Sequence, residues 1–159
     1  AQEISKMGLD MYLDKETYVG ARYQKVNGRC TLKVTDYEGT VKPIKGVKVS
    51  RISSIREDVG YWRKANAIHA WFVDKSEMED NCQEFQVSHD DIKELHDLCV
   101  EVRNDPSKAE KLLPTQSGFF FGATEYGEGY IQDLNDTVKI CEGCLREDKN
   151  TYFIYHASW

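Results

Sequence analysis

The sequence predicts an α+β fold: a mainly antiparallel sheet with three to four helices packed on it, in a single compact domain over residues 1–159. Three observations predict it. The first half is rich in Thr, Val, Ile and Tyr, which suit a half-buried pleated surface. Apolar residues then recur at spacings of three and four in segments after Val59, after Ser88 and after Gly129. The chain closes on "TYFIYHASW", an apolar and aromatic run that fits a strand at or near the middle of a sheet.

Taken in order, "GLDMYLD" (Gly8 to Asp14) alternates as a strand does. "TYVGARYQKV", Asn27-Gly28 and "RCTLKVT" read as a hairpin, because Asn-Gly supplies the positive φ angles of a tight turn. In "GVKVSRISSIREDVGYW", Val47, Val49, Ile52 and Ile55 are spaced as a β segment with a bulge between Val49 and Ile52. "RKANAIHAWFVD" follows as a helix, with Ala65, Ile68, His69 and Phe72 on one face, Trp62 and Asn66 at its edge, and Trp71 on the other side. Ser88-x-x-Asp91 resembles a capping box with a shortened acid, and it opens a helix whose apolar face is Ile92, Leu95, His96, Cys99 and Val102. Asn104-Asp105-Pro106 ends that helix, and "SKAEKLL" forms a further short turn. "SGFFFGA" reads as a buried strand, and Ile131, Leu134, Val138, Cys141 and Leu145 mark the last helix.

The net charge of −6 conceals a segregation: residues 1–73 carry +5, residues 74–110 carry −8 and residues 111–159 carry −3. Such polarity steers charged partners toward one face. No apolar run approaches the roughly 20 residues that span a bilayer, and the N-terminal residues lack a basic flank followed by an apolar stretch. The expectation is a cytoplasmic protein. Five widely spread cysteines, an odd number, are expected as reduced, buried small hydrophobes. Cys141-Glu-Gly-Cys144 lacks the second close pair a tetrahedral zinc needs, and the acids around it oppose a reactive thiolate. No motif implies a metal or other cofactor.

Three candidate sites compete. Asp90, Glu94, Asp97 and Glu101 are spaced by four, three and four, so they share one side of the Ser88 helix. That acidic stripe suits a basic groove that normally holds nucleic acid, although a solvated helix face has the same pattern. Trp62, Asn66 and His69, with Tyr126 and Tyr130 from the glycine-rich "PTQSGFFFGATEYGEGY", form a possible pocket for a planar, nucleotide-like ligand. Glu125 and Glu128 oppose a phosphate there, and no Walker-like Lys follows. Basic residues interleaved with aromatics in the first half, among them Arg22, Lys25, Arg29, Lys33, Arg63, Tyr23 and Tyr61, form a nucleic-acid alternative without a recognition motif. Catalysis needs an acid–base pair drawn from His69, Asn66, His156, Asp10 and Glu57. His96 is expected in the core and His89 exposed.

"MGLDMYL", "VGYWRKANAIHAWFV", "LLPTQSGFFFGATEYGEGY" and "FIYHASW" resemble a family of small proteins encoded by phages and prophages, over nearly the whole chain from Met7 to Trp159. The family carries no catalytic motif to transfer. The resemblance implies a phage accessory protein acting in the host bacterial cell, with residues 1–6 as an extension. Its expected function is non-enzymatic: inhibition of a host defence system, of the anti-CRISPR type, by stoichiometric binding through the acidic helix. A protein that sequesters a nucleotide or cyclic-nucleotide signal is the alternative, and a small enzyme or binding protein acting on nucleic acid is the third.

Overall fold

The computed structural model describes residues 7–20, 35–42 and 44–159. Strands β1 (Asp10–Tyr18), β2 (Ser54–Arg63), β3 (Phe85–Val87) and β4 (Phe153–Ser158) form one antiparallel sheet in the order β2-β1-β4-β3. Helices α1 (Asn66–Ser76), α2 (His89–Asn104), α3 (Ala109–Leu112) and α4 (Glu128–Leu145) complete an α+β fold. The chain divides into two compact units, one running up to Lys15 and from Glu57 to Trp159, the other from Glu16 to Arg56.

The larger unit is organised by β4, which pairs with β1 from Asp10↔Ser158 to Lys15↔Phe153 and with β3 from Phe85↔Tyr155 to Val87↔Phe153. Its interior position explains why four of its six residues are apolar or aromatic, as its run predicts. β1, with Leu9 just before it, and β4 turn Leu9, Met11, Leu13, Phe153 and Tyr155 inward, where they join Ile68 and Phe72 of α1 in one core. Phe72 stacks on Tyr155 with ring centroids 4.0 Å apart. Each such fully buried side chain contributes about 1.5–3 kcal/mol.

α2 begins with the predicted capping box: the Ser88 hydroxyl accepts from the Asp91 amide, and the Asp91 carboxylate accepts from the Ser88 amide. Ile92, Leu95, Cys99 and Val102 of α2 are buried, as are Tyr130, Leu134, Val138 and Cys141 of α4, and the two helices pack together through these stripes. Gly60 lets α4 approach the sheet, since a Cβ there would lie 2.7 Å from Ile140 Cγ2.

The smaller unit holds a turn in which the Asp36 carboxylate accepts from the amides of Glu38 and Thr40 and pairs with Lys42. The predicted Asn27-Gly28 hairpin lies outside the described residues, as do Arg22, Tyr23, Lys25, Arg29, Cys30 and Lys33.

Several expectations are corrected. Val47 and Val49 belong to no strand: Val49–Arg51 is a 3-10 turn, both valines are exposed, and β2 starts only at Ser54. β-branched residues favour a strand where neighbours cover them, and here none do. "SGFFFGA" is a turn, closed by the Phe121 amide donating to the Gly118 carbonyl. Only Phe121 is buried there, and Phe119 is 95% exposed. Gly122 takes φ +85°, which breaks any extended run. His96 is half-buried beside Asp97 and Glu142, and His89 is half-buried near the Leu145 carbonyl. Cys82 is exposed, whereas Cys99, Cys141 and Cys144 are buried free thiols.

Candidate functional site

Where β2 hands over to α1, the backbone turns sharply. Lys64 adopts φ +56°, a left-handed conformation that costs a non-glycine residue about 1–3 kcal/mol. Its amide donates to the Leu9 carbonyl (2.7 Å), and its stem lies against Gly122, 3.1 Å from where a Cβ would sit. The turn delivers Asn66 to the first position of α1, 3% exposed. Asn66 Nδ2 donates to the carbonyls of Phe121 (3.0 Å) and Ala123 (2.8 Å), and its Oδ1 accepts from the Gln116 amide (2.9 Å). One carboxamide thereby fastens the segment between Leu113 and Glu128 to the start of α1. On that segment Gln116 Oε1 is buried without a hydrogen-bond partner.

The fastened segment walls a cavity of about 380 Å³, whose lining includes Lys64, Asn66, Thr115, Glu125, Tyr130 and Asp133. The volume falls within the range of small-molecule sites. Tyr130 is buried and donates its hydroxyl proton to the Leu113 carbonyl (2.8 Å). Tyr126 packs edge-on against it, centroids 5.0 Å apart, and accepts from the Thr115 amide. Desolvation, with the nearby Asp136, pushes the Asp133 carboxyl up to about 6. Strained backbone and a perturbed acid together mark a candidate functional site.

The predicted pocket residues separate. Asn66 and Tyr130 line the cavity and Tyr126 supports it, but Trp62 and His69 do not. Trp62 is a core residue whose indole N–H donates to Thr137 Oγ1 (2.9 Å), while that hydroxyl donates to the Asp133 carbonyl (2.6 Å). It ties β2 to α4 behind the cavity. His69, one turn along α1, packs edge-on against Phe121 and lines a separate space: the Tyr155 hydroxyl donates to Nδ1 (2.7 Å), and Nε2–H donates to Asp80 Oδ1 (3.0 Å). Burial lowers the His69 pKa, opposed by Asp80. Both ring nitrogens are engaged, and the space beside them amounts to about 10 Å³, at most one water.

The other acid–base candidates lie in separate local pairs. Asp10 accepts from Tyr61 (2.6 Å) and Arg63 (2.8 Å), Glu57 pairs with Lys15, and His156 stacks on Tyr12 near Asp14. Burial pushes the thiols of Cys99 and Cys144 up to about 12 and raises Cys141 as well. Among the described residues no three His, Cys, Asp or Glu side chains converge to hold a metal ion.

The acidic stripe is placed as predicted: Asp90, Glu94, Asp97 and Glu101 line an open groove with Lys93 and Leu98. Three of the four have cations of their own chain, Glu94 with Lys75, Asp97 with Lys93 and Glu101 with Lys108. Of the basic aromatic half, Arg63 and Arg56 meet Asp10 and Glu16 across the sheet.

Lys64, Thr115 and Asp133 were not legible as site residues. Asp133 carried the one usable signal: an acid one turn after Tyr130, at the border of the apolar face of α4. No family model matches the chain, and no curated protein or solved structure matches it.

Proposed function

We propose that this chain is a non-enzymatic binding protein whose ligand is a small polar molecule held in the cavity between the starts of α1 and α4. The observation that carries this reading is the cavity itself, where Lys64, Asn66, Tyr130 and Asp133 converge on one space of ligand size. A binding role, as opposed to a catalytic one, is supported by His69, whose two nitrogens are already engaged, and by buried thiols held protonated. The test is thermal unfolding of the full chain against nucleotides, cyclic dinucleotides, amino acids and amines. The reading expects a saturable rise in Tm with at least one class, because a ligand that binds only the folded state stabilises it by mass action. No rise at saturating concentrations of any class contradicts it.

A second reading is favoured by the open groove along Asp90, Glu94, Asp97 and Glu101. On this reading the chain is a phage or prophage product that blocks a host defence protein, in the anti-CRISPR manner, by presenting carboxylates to a basic nucleic-acid groove. The lysines that already pair with three of these acids weaken the field available to a partner. Reversal of the four acids to Lys abolishes the complex if this reading is right, and leaves capture of the partner unchanged if it is wrong.

A further inference from the structure

The buried ring of His69 is packed by Phe121, Tyr155 and Trp159, with centroids 5.3, 6.1 and 5.6 Å away. Its remaining cover is the connection from α1 to β3, residues 77–84. Asp80 is the one half-buried residue of that connection, and the other seven are exposed. Glu77 and Cys82 take φ +55° and +60°, left-handed conformations that an L side chain disfavours. The middle of the connection is tied to α1 where His69 Nε2–H donates to Asp80 Oδ1 (3.0 Å). An exposed, strained segment with one inward side chain opens locally long before a packed strand or helix does.

That tie responds to a proton. Neutral His69 donates from Nε2 and accepts at Nδ1, so a proton taken from solvent enters at Nδ1, where the Tyr155 hydroxyl now donates (2.7 Å). The imidazolium makes that hydroxyl turn its hydrogen away, although Tyr155 is itself 1% exposed. The titratable groups around the space beside the ring are Glu79, Asp80 and Cys82 of the connection and Tyr155 of β4, while β3 contributes Phe85, α1 contributes Val73, and the chain after β4 contributes Trp159, all uncharged side chains. Asp80 favours the charged ring, and burial outweighs it. Opening the connection returns the ring edge to water, which solvates the imidazolium. The open form therefore binds the proton better, and by linkage acid populates it.

We infer that the connection 77–84 is an acid-opened flap, lifted off the His69–Tyr155 pair when His69 is protonated.

The test is limited proteolysis of the full chain by papain, at pH 7.5 and at pH 5, with each cleavage rate divided by that of a free peptide of the same sequence. Normalised cleavage within the flap is expected to be about tenfold faster at pH 5, the change that one unit of difference in His69 pKa between closed and open forms produces. Cleavage within α2 rises less. Asp80→Asn keeps an acceptor but removes the charge that favours the imidazolium, so its pH response is steeper. Glu79→Gln leaves the response unchanged. His69→Gln, which retains a neutral donor, abolishes it, and if that variant does not fold, the steeper response of Asp80→Asn decides. Flap cleavage that is constant or slower at pH 5 overturns the inference. So does a rise shared equally by α2, which reports global unfolding, or a weaker pH response in Asp80→Asn.

Discussion

The side-chain oxygen of Asn66 accepts a hydrogen bond from the backbone amide of Gln116, 2.9 Å away across 50 positions of sequence. With the two bonds its amide nitrogen donates to Phe121 and Ala123, it makes the cavity wall depend on one buried side chain. Asn66→Ala leaves two carbonyls and one amide without these partners, and a destabilisation of about 3 kcal/mol is expected from urea unfolding. Asn66→Asp accepts from Gln116 but cannot donate to either carbonyl, so it is no less damaging. Wild-type stability in Asn66→Asp contradicts the clamp.

Asp133 titrates near 6 in the folded protein, above the ordinary 3.8 of an unfolded aspartate. The folded state therefore binds that proton more tightly, and stability falls as pH rises from about 4 to 6. Asp133→Asn removes the buried charge. It is expected to stabilise the protein by about 1–2 kcal/mol at pH 7.5, after discount for solvent screening, and by nothing at pH 4. A destabilised Asn variant at pH 7.5 contradicts the assignment. A gain in stability from the loss of a site residue is the usual sign of a group retained for binding.

His69 works with the opposite sign. Its folded pKa lies below the ordinary 6.5 because burial disfavours the imidazolium, so the unfolded chain takes up the proton first. Stability is complete above about 6.5 and declines as pH falls below it. In the Asp133→Asn background, where the opposing titration is gone, Tm is expected to drop between pH 7 and 5. A flat profile there contradicts a neutral His69. Tyr155→Phe strips Nδ1 of its donor and costs about 1–2 kcal/mol.

Gly60 is the contact point of sheet and α4. Gly60→Ala sets a methyl 2.7 Å from Ile140 Cγ2 and 3.3 Å from Leu13 Cβ, and overpacking of this kind costs about 1–3 kcal/mol. The double variant Gly60→Ala with Ile140→Ala is expected to recover part of the loss, which a double-mutant cycle reads directly. Strict additivity contradicts the packing assignment.

Periodicity made the regular elements legible. The Ser88 capping box, the α4 stripe from Leu134 to Cys141 and the apolar run of β4 all rest on local spacing, and each stands in the structure. What failed were segments whose conformation depends on distant partners. Three consecutive phenylalanines suggest a buried strand, yet Phe119 points to solvent because Gly122 and the Asn66 bonds turn the chain at Phe121. β3 passed unnoticed because three residues, Phe85–Val87, carry too short an alternation to register. The site was half legible for the same reason. Asn66 stood out as a polar notch on a predicted helix and Tyr130 as an aromatic of the glycine-rich stretch, but Trp62 and His69 share the neighbourhood of Asn66 in sequence and not its cavity. Helical projection sorts residues around one axis; it does not say which neighbour each one meets. The strain at Lys64 is a backbone property with no signature in residue type.

The central claim, a small polar ligand in the cavity between the starts of α1 and α4, is tested most directly by amide chemical-shift mapping of the full chain titrated, at matched ionic strength, with each ligand class of the thermal panel. The account predicts saturable shifts concentrated at Ala67, Thr115, Ala123, Gly127, Gly129 and Asp133, the amides around the cavity. Shifts confined to Asp90, Glu94, Asp97 and Glu101 along α2, or shifts that grow linearly without saturation, would contradict it.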